Sequence, residues 1–203
     1  MQKESINNLP PYLTDKLLSC TREIVLKKGD RLFLTGDKVE GIYYVIEGEL
    51  KAIRPMLKEG DAVMVRSRSG EYFAETALAI DHYVCDAYSS KPSTIAFMPK
   101  VNIFEALKEN QFALGFSLAL AANARRQCSR YERLRLHRAK DRLLHLLTCE
   151  SDKAGSLNWQ SPLSELAADL AIEPETLYRV LSELEKNGVI LREKRSIKLL
   201  RKT

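Results

Sequence analysis

Pro162 and Pro174 bracket the most constraining stretch of this chain, SPLSELAADLAIEPETLYRVLSELEKNGVI, residues 161–190. Proline lacks an amide hydrogen, so it suits the first position of a helix, where that donor would be unpaired anyway. Ser161 is a good N-cap ahead of the first proline. Leu163, Leu166, Ala167 and Leu170 then recur at helical spacing, and Ala167 is small where two helices must cross closely. Ala171-Ile172-Glu173 reads as a turn. Leu177, Val180, Leu181 and Leu184 form the inward stripe of a second helix, and Asn187-Gly188 stops it. The pattern is two short helices about a tight turn.

The second stripe leaves Glu175, Thr176, Tyr178, Arg179 and Ser182 off the core face. Glu175 and Arg179 are four apart, so they lie side by side. A carboxylate accepts from cytosine N4, and a guanidinium binds guanine O6 and N7 in bidentate fashion. After Gly188, Val189-Ile190-Leu191 and Ile197-Lys198-Leu199 read as two strands joined by the basic turn Arg192-Glu193-Lys194-Arg195-Ser196. A hairpin after a helix-turn-helix makes a wing, and Lys194 and Arg195 at its turn suit phosphate contact. Spacing alone fits an ordinary helical hairpin with a solvated Glu175–Arg179 pair equally well. The basic hairpin and an arginine-rich helix upstream favour DNA.

Charge distribution points the same way. The 203 residues carry a net charge of +5, but from Arg125 onward there are 17 Lys and Arg against 11 Asp and Glu. The basic part is therefore C-terminal and the N-terminal part is near neutral, as expected of a nucleic-acid module joined to something else. No apolar run is long enough to span a bilayer, and MQKESINNLPPYLTDKL has no apolar signal region, so a cytoplasmic protein with no membrane role is expected. Cys20, Cys85, Cys128 and Cys149 are far apart and read as buried free thiols; His82, His137 and His145 are equally dispersed. No zinc or other metal site, phosphate loop or hydrolase signature is present, so an enzyme is not expected.

Residues 23–98 read as short strands: Glu23–Leu26, Arg31–Leu34, Ile42–Ile46, Glu49–Ile53, Ala62–Arg66 and Thr94–Met98. Lys28-Gly29-Asp30, Thr35-Gly36-Asp37, Glu47-Gly48 and Ser69-Gly70 mark turns, which together suggest a sandwich, barrel or jelly roll. From about Asn102, as a cap, the period becomes helical: Ile103–Asn110, then a long helix over 111–136. In it Ala113, Ser117, Leu120, Ala124, Gln127, Tyr131 and Leu134 form a heptad seam for a second copy of the chain. The alternative is one broad core face in a monomer. Leu114, Leu118 and Ala121 are expected to pack on the β domain. Arg125, Arg126, Arg130, Arg133, Arg135 and Arg138 read mostly as a solvated face. A break at 137–139 precedes a helix over 140–149, and 153–157 reads as a loop.

These pieces together resemble the catabolite-activator and fumarate–nitrate-regulator (CRP/FNR) family of bacterial transcription regulators, over about residues 20–200. KKGDRLFLTGDKVEGIYYVIEGELKAI is similar to the opening of its cyclic-nucleotide-binding roll, AKDRLLHLL to the helix after its hinge, and SELAADLAIEPETLYRVLSELEKNGVI to its helix-turn-helix. The resemblance implies an α+β chain: a β-roll of the double-stranded jelly-roll type over 1–110, a dimerisation helix over 111–136 with Leu120, Ala124, Gln127, Tyr131 and Leu134 at the interface, and a winged helix-turn-helix over 137–203. It implies a homodimer on an inverted repeat of double-stranded DNA, with half-sites about 34 Å apart. Glu175 and Arg179 occupy the family's base-reading positions for a TGA-type core. Pro174 and Tyr178 depart from the family's flanking readers. RNA polymerase is a further partner if the protein activates.

The resemblance also frames the sensor. Family members that bind cyclic nucleotides carry a Gly-Glu pair and, about ten residues on, Arg-Ser. Here Ala74-Glu75 and Cys85-Asp86 stand there. A carboxylate in place of a cation beside a phosphodiester reverses the interaction, so cyclic AMP is not expected as effector. Iron–sulfur relatives use an N-terminal cysteine cluster, and only Cys20 precedes the roll. Haem would rest on His82 alone. No cofactor is therefore expected, and an unknown small-molecule effector is assigned to a pocket of Ala74, Glu75, Cys85, Asp86 and Cys128. Two alternatives stay open: a constitutive regulator with a vestigial sensor, and a small-molecule-binding module that acts through protein contacts without DNA.

Overall fold

The structure, a computed structural model, describes residues 8–56, 60–158 and 162–200. Ser161, expected as an N-cap, lies outside the described residues. The chain divides into two compact units, Met1–Asn123 and Ala124–Thr203.

The first unit opens with α1 (Asp15–Cys20), whose N-cap Thr14 accepts from the Leu17 amide through its hydroxyl. Strands follow: β1 (Arg22–Leu26), β2 (Arg31–Phe33), β3 (Gly41–Glu47), β4 (Glu49–Met56), β5 (Gly60–Arg68), β6 (Tyr72–Phe73), β7 (Asp86–Ser89) and β8 (Ser93–Pro99). They form two antiparallel four-stranded sheets, in the orders β1-β8-β3-β6 and β2-β7-β4-β5. Side chains from the two sheets make one core that includes Phe33, Tyr43, Val45, Leu50, Phe73, Ala87, Ile95 and Phe97. This is the β-roll expected from the sequence, with β6 and β7 added. Both are short, and neither carries the apolar alternation that marks the others.

Strand β3 is buried from Gly41 through Val45 because it has packing partners on both faces. Tyr43 and Val45 face the core between the sheets; Ile42 and Tyr44 join a second core under the helices. That core also holds Leu13 and Leu17, Ile103 and Ala106 of α2 (Lys100–Ala106), and Phe112 and Phe116 of α3 (Asn110–Leu134). Asn102 is inside α2, not its cap; Pro99 is the capping residue, and Asn102 Nδ2 donates to Cys20 Sγ at 3.2 Å. At Gly115 α3 passes close against Tyr12, since a Cβ there would sit 2.3 Å from the Tyr12 ring.

Which face of α3 is buried differs from the sequence expectation. Leu114 and Leu118 are 64% and 62% exposed, and Ala121 is exposed too. Phe112 and Phe116 take the place assigned to them, because two phenyl rings offer far more apolar area than two leucines and an alanine. Rings 112 and 116 stack on each other with centroids 5.4 Å apart.

In the second unit the break spans 135–138, and α4 runs from Ala139 to Glu150. Residues 156 and 157, read from sequence as the end of a loop, fall in β9 (Ser156–Asn158). Next come α5 (Leu163–Asp169), α6 (Pro174–Lys186), β10 (Ile190–Glu193) and β11 (Ser196–Leu199). β9 pairs with β11, so the hairpin belongs to a three-stranded sheet. Pro162 is the N-cap of α5 rather than its first residue, whereas Pro174 opens α6 as expected. Leu143, Leu146 and Leu147 of α4 meet Leu166, Ala167, Leu170, Leu177, Val180, Leu181, Leu184, Ile190 and Ile197 in one core. Each buried large aliphatic there contributes about 1.5–3 kcal/mol.

Arg133 is the exception to the reading of the arginine-rich helix end as mostly a solvated face. It is buried and ion-paired to Glu150 of α4. The cysteines also depart from expectation: Cys20 and Cys85 are half-buried, and Cys128 and Cys149 are exposed.

Candidate nucleic-acid interface

The α5–α6 pair is a helix-turn-helix in geometry as well as pattern. Leu170 caps α5, and Ala171 turns the chain with φ 51°. Left-handed backbone costs an alanine roughly 1–2 kcal/mol. The turn is held by the Ile172 amide, which donates to the Ala167 carbonyl at 3.0 Å, and by Arg142, which reaches it from α4.

Helix α6 separates its faces cleanly. Leu177, Val180, Leu181 and Leu184 are buried. Glu175, Tyr178, Arg179 and Ser182 are exposed, and Thr176 is half-buried. Tyr178 is 50% exposed, high for a ring of its size with an apolar core one residue away. At the other end of the helix, Glu183 pairs with Lys140 at 2.9 Å and Glu185 with Arg192 at 3.8 Å. Those acids are occupied, so the open carboxylate and guanidinium of this helix sit at its N-terminal half. Lys194 and Arg195 form the two-residue turn between β10 and β11, and both are exposed. The surface thus offers a helix face with one carboxylate and one guanidinium, flanked by a basic loop, which is chemistry suited to base edges and phosphates.

The other predicted site residues lie in the first unit or on α3. Ala74 has φ 63° and precedes a short 3₁₀ turn, Glu75–Ala79. Ala74 and Ala171 are the only left-handed residues other than glycine among the described residues. Glu75 Oε1 accepts from Asn123 Nδ2 of α3. Cys85 packs against the core between the sheets; burial pushes its thiol up, the Arg54 charge opposes that, and Asp86 adds to it. Asp86 Oδ1 accepts from the Thr35 amide at 2.8 Å and from its hydroxyl at 2.9 Å. Those bonds hold the Asp86 carboxyl below the usual range. Cys128 is exposed on α3. Along the same helix Ala124, Tyr131 and Leu134 are exposed and Gln127 is half-buried, whereas Leu120 packs against the helix-covered core.

Sequence reasoning missed a buried acid-base cluster. Glu49 is fully buried, with Oε1 accepting from Arg66 at 2.9 Å and Oε2 from Arg68 at 3.0 Å. The signal was the pairing of β4 with β5, which sets Glu49 opposite Arg68, and it appears only once the register is known. No group of three or more His, Cys, Asp or Glu among the described residues could hold a metal ion. No helix among them is long and apolar enough to cross a membrane.

Comparison with known proteins places this geometry. Residues 23–110 match the family model for the cyclic nucleotide-binding domain. No curated protein sequence matches the chain. Among solved structures, a CooA mutant from Carboxydothermus hydrogenoformans superposes with a TM-score of 0.71 at 17% identity, covering 98% of this chain and 91% of that one. FixK2 from Bradyrhizobium japonicum gives 0.67 at 17% identity, covering 89% and 93%. A CRP/FNR family transcriptional regulator from Thermus thermophilus gives 0.55 at 25% identity, covering 89% and 94%.

Proposed function

We propose that this chain, which has the fold of the CRP/FNR transcription regulators and not of an enzyme, is a dimeric, sequence-specific DNA-binding regulator of the cytoplasm. The observation that carries the reading is the division of α6: four buried aliphatics anchor it, and Glu175, Tyr178, Arg179 and Ser182 stand out from the opposite face. Arg179 reads a guanine, Glu175 the cytosine N4 of a neighbouring pair, and Thr176, Tyr178 and Ser182 complete the contact. Lys194 and Arg195 of the wing hold phosphates. RNA polymerase is the further partner if the bound regulator activates.

Residues 1–110 act as the sensor, 111–136 as the dimerisation helix and 137–203 as the DNA-binding domain. For the dimer, the exposed residues of α3 support a seam of Leu114, Ser117, Ala121, Ala124, Cys128 and Tyr131, spaced alternately three and four apart, with Leu118 beside it. This keeps Ser117, Ala124 and Tyr131 of the sequence reading and moves the rest, because Leu120 already has a partner in the core.

Cyclic AMP is not the effector in this reading. Cys85 is turned into the roll's core where a phosphate-binding cation would be needed, and Asp86 is engaged by Thr35. The Glu75–Asn123 bond favours a second reading, a constitutive regulator whose sensor is vestigial, since the carboxylate has a partner within the chain. Selection of bound sequences from random DNA tests the main reading: an inverted repeat with a TGA-type half-site is expected. Enrichment of no sequence would overturn it in favour of a module acting through protein contacts.

A further inference from the structure

One side chain ties together two places that are far apart in sequence. Arg142 lies in the first turn of α4, half-buried. Its Nε donates to the Leu136 carbonyl at 2.7 Å, inside the break between α3 and α4. Its Nη1 donates to the carbonyls of Leu170 at 3.0 Å and Ala171 at 2.9 Å, which are the C-cap of α5 and the left-handed residue of the turn. These are carbonyls that a helix end and a tight turn leave without backbone donors. A guanidinium suits the task because its N–H groups diverge in one rigid plane; an ammonium is a compact point charge that cannot hold the same fork.

We infer that Arg142 is a positioning residue, which fixes the start of the recognition helix relative to the 135–138 break. This rests on the DNA-reading assignment of α6. Ala171 is followed, two residues on, by the N-cap Glu173 and then by Pro174 and Glu175, so whatever holds its carbonyl sets the phase in which Glu175 and Arg179 are presented. The same guanidinium holds Leu136. A rearrangement of the break that withdraws the Leu136 carbonyl therefore changes the geometry Arg142 can adopt at the turn. Ile172, whose amide closes the turn, and Leu170 lie on the route, both packed in the core that α4 shares with α6.

The test uses the full chain with Arg142→Met, which keeps an apolar stem and removes the donors, and Arg142→Lys, which keeps the charge. Hydrogen exchange is followed at the Arg135 and Leu136 amides and at the Ala171 and Ile172 amides, alongside affinity for a selected site and for random DNA. Arg142→Met is expected to speed exchange at both places together and to weaken the selected site by about tenfold or more, the scale of lost charge-assisted hydrogen bonds. Random-sequence affinity stays within about threefold of the original protein, since the wing cations are intact. Arg142→Lys restores part of both effects and serves if the methionine variant does not fold. Faster exchange at only one of the two places, or an equal loss for selected and random DNA, would overturn the proposal. If the original protein shows no sequence selectivity, the DNA assignment fails, and the paired exchange response alone decides whether Arg142 couples the two places.

Discussion

Phe116 and Leu118 stand two residues apart on α3 and face opposite environments: Phe116 is 2% exposed and Leu118 62% exposed. A helix with one face sealed by aromatic rings and another lined by leucines in solvent has a second surface to cover. If α3 dimerises as proposed, Leu114→Glu and Leu118→Glu together are expected to leave a monomer, read as a halving of mass in sedimentation. The core that α3 seals with Phe112 and Phe116 is untouched by these changes, so circular dichroism should keep its helical signal. A variant that remains dimeric would move the interface elsewhere.

Ala171 gives a second prediction. At φ 51° its Cβ is strained, and glycine relieves that strain at some cost in unfolded-chain entropy. The balance favours Ala171→Gly by about 0.5–1 kcal/mol, a rise of a few degrees in thermal midpoint. A lower midpoint would mean that the alanine methyl contributes packing that outweighs the strain.

The Glu49 cluster sets an acid limit on the first unit. Burial alone would raise the Glu49 carboxyl, but the hydrogen bonds and charges of Arg68 and Arg66 outweigh it and hold the group below the ordinary range. A carboxyl whose folded pKa is depressed adds stability above its unfolded value, about 4.3, and that stability is lost as pH falls through the folded value. Glu49→Gln should therefore destabilise the protein at pH 7 and flatten the acid side of the stability curve. Chemical denaturation at several pH values below 5 measures both. An unchanged acid slope would assign it to other carboxylates.

Cyclic AMP at about 1 mM is expected to leave the thermal midpoint unchanged, because a ligand stabilises only the state that binds it. A rise of several degrees would mean that Cys85 and Asp86 leave room for the phosphate after all.

Much of this molecule was legible in the sequence. The α6 stripe of Leu177, Val180, Leu181 and Leu184, the Gly188 stop and the six strands expected over 23–98 rest on local periodicity and turn chemistry, and each is present. What was not legible depends on contacts between distant residues. The phase of α3 turns on Phe112 and Phe116 meeting β3 and β8, so the wrong stripe was assigned to the core. Buried Arg133 looks like any other basic residue until Glu150 is beside it. Ala74 and Ala171 carry no glycine signal, although both adopt the left-handed backbone. Strain of that kind persists where the surroundings over-determine it, and here it falls just before Glu75 in the first unit and in the turn between α5 and α6.

The central claim is that Arg179 reads a base. The direct measurement is the affinity of the original protein and of Arg179→Ala for a selected inverted repeat and for random DNA, each at two salt concentrations. The account predicts that Arg179→Ala costs about 1–3 kcal/mol at each half-site, leaves only the weak salt-dependent affinity common to both DNAs, and keeps the dimer intact. Undiminished preference of Arg179→Ala for the selected repeat would contradict it.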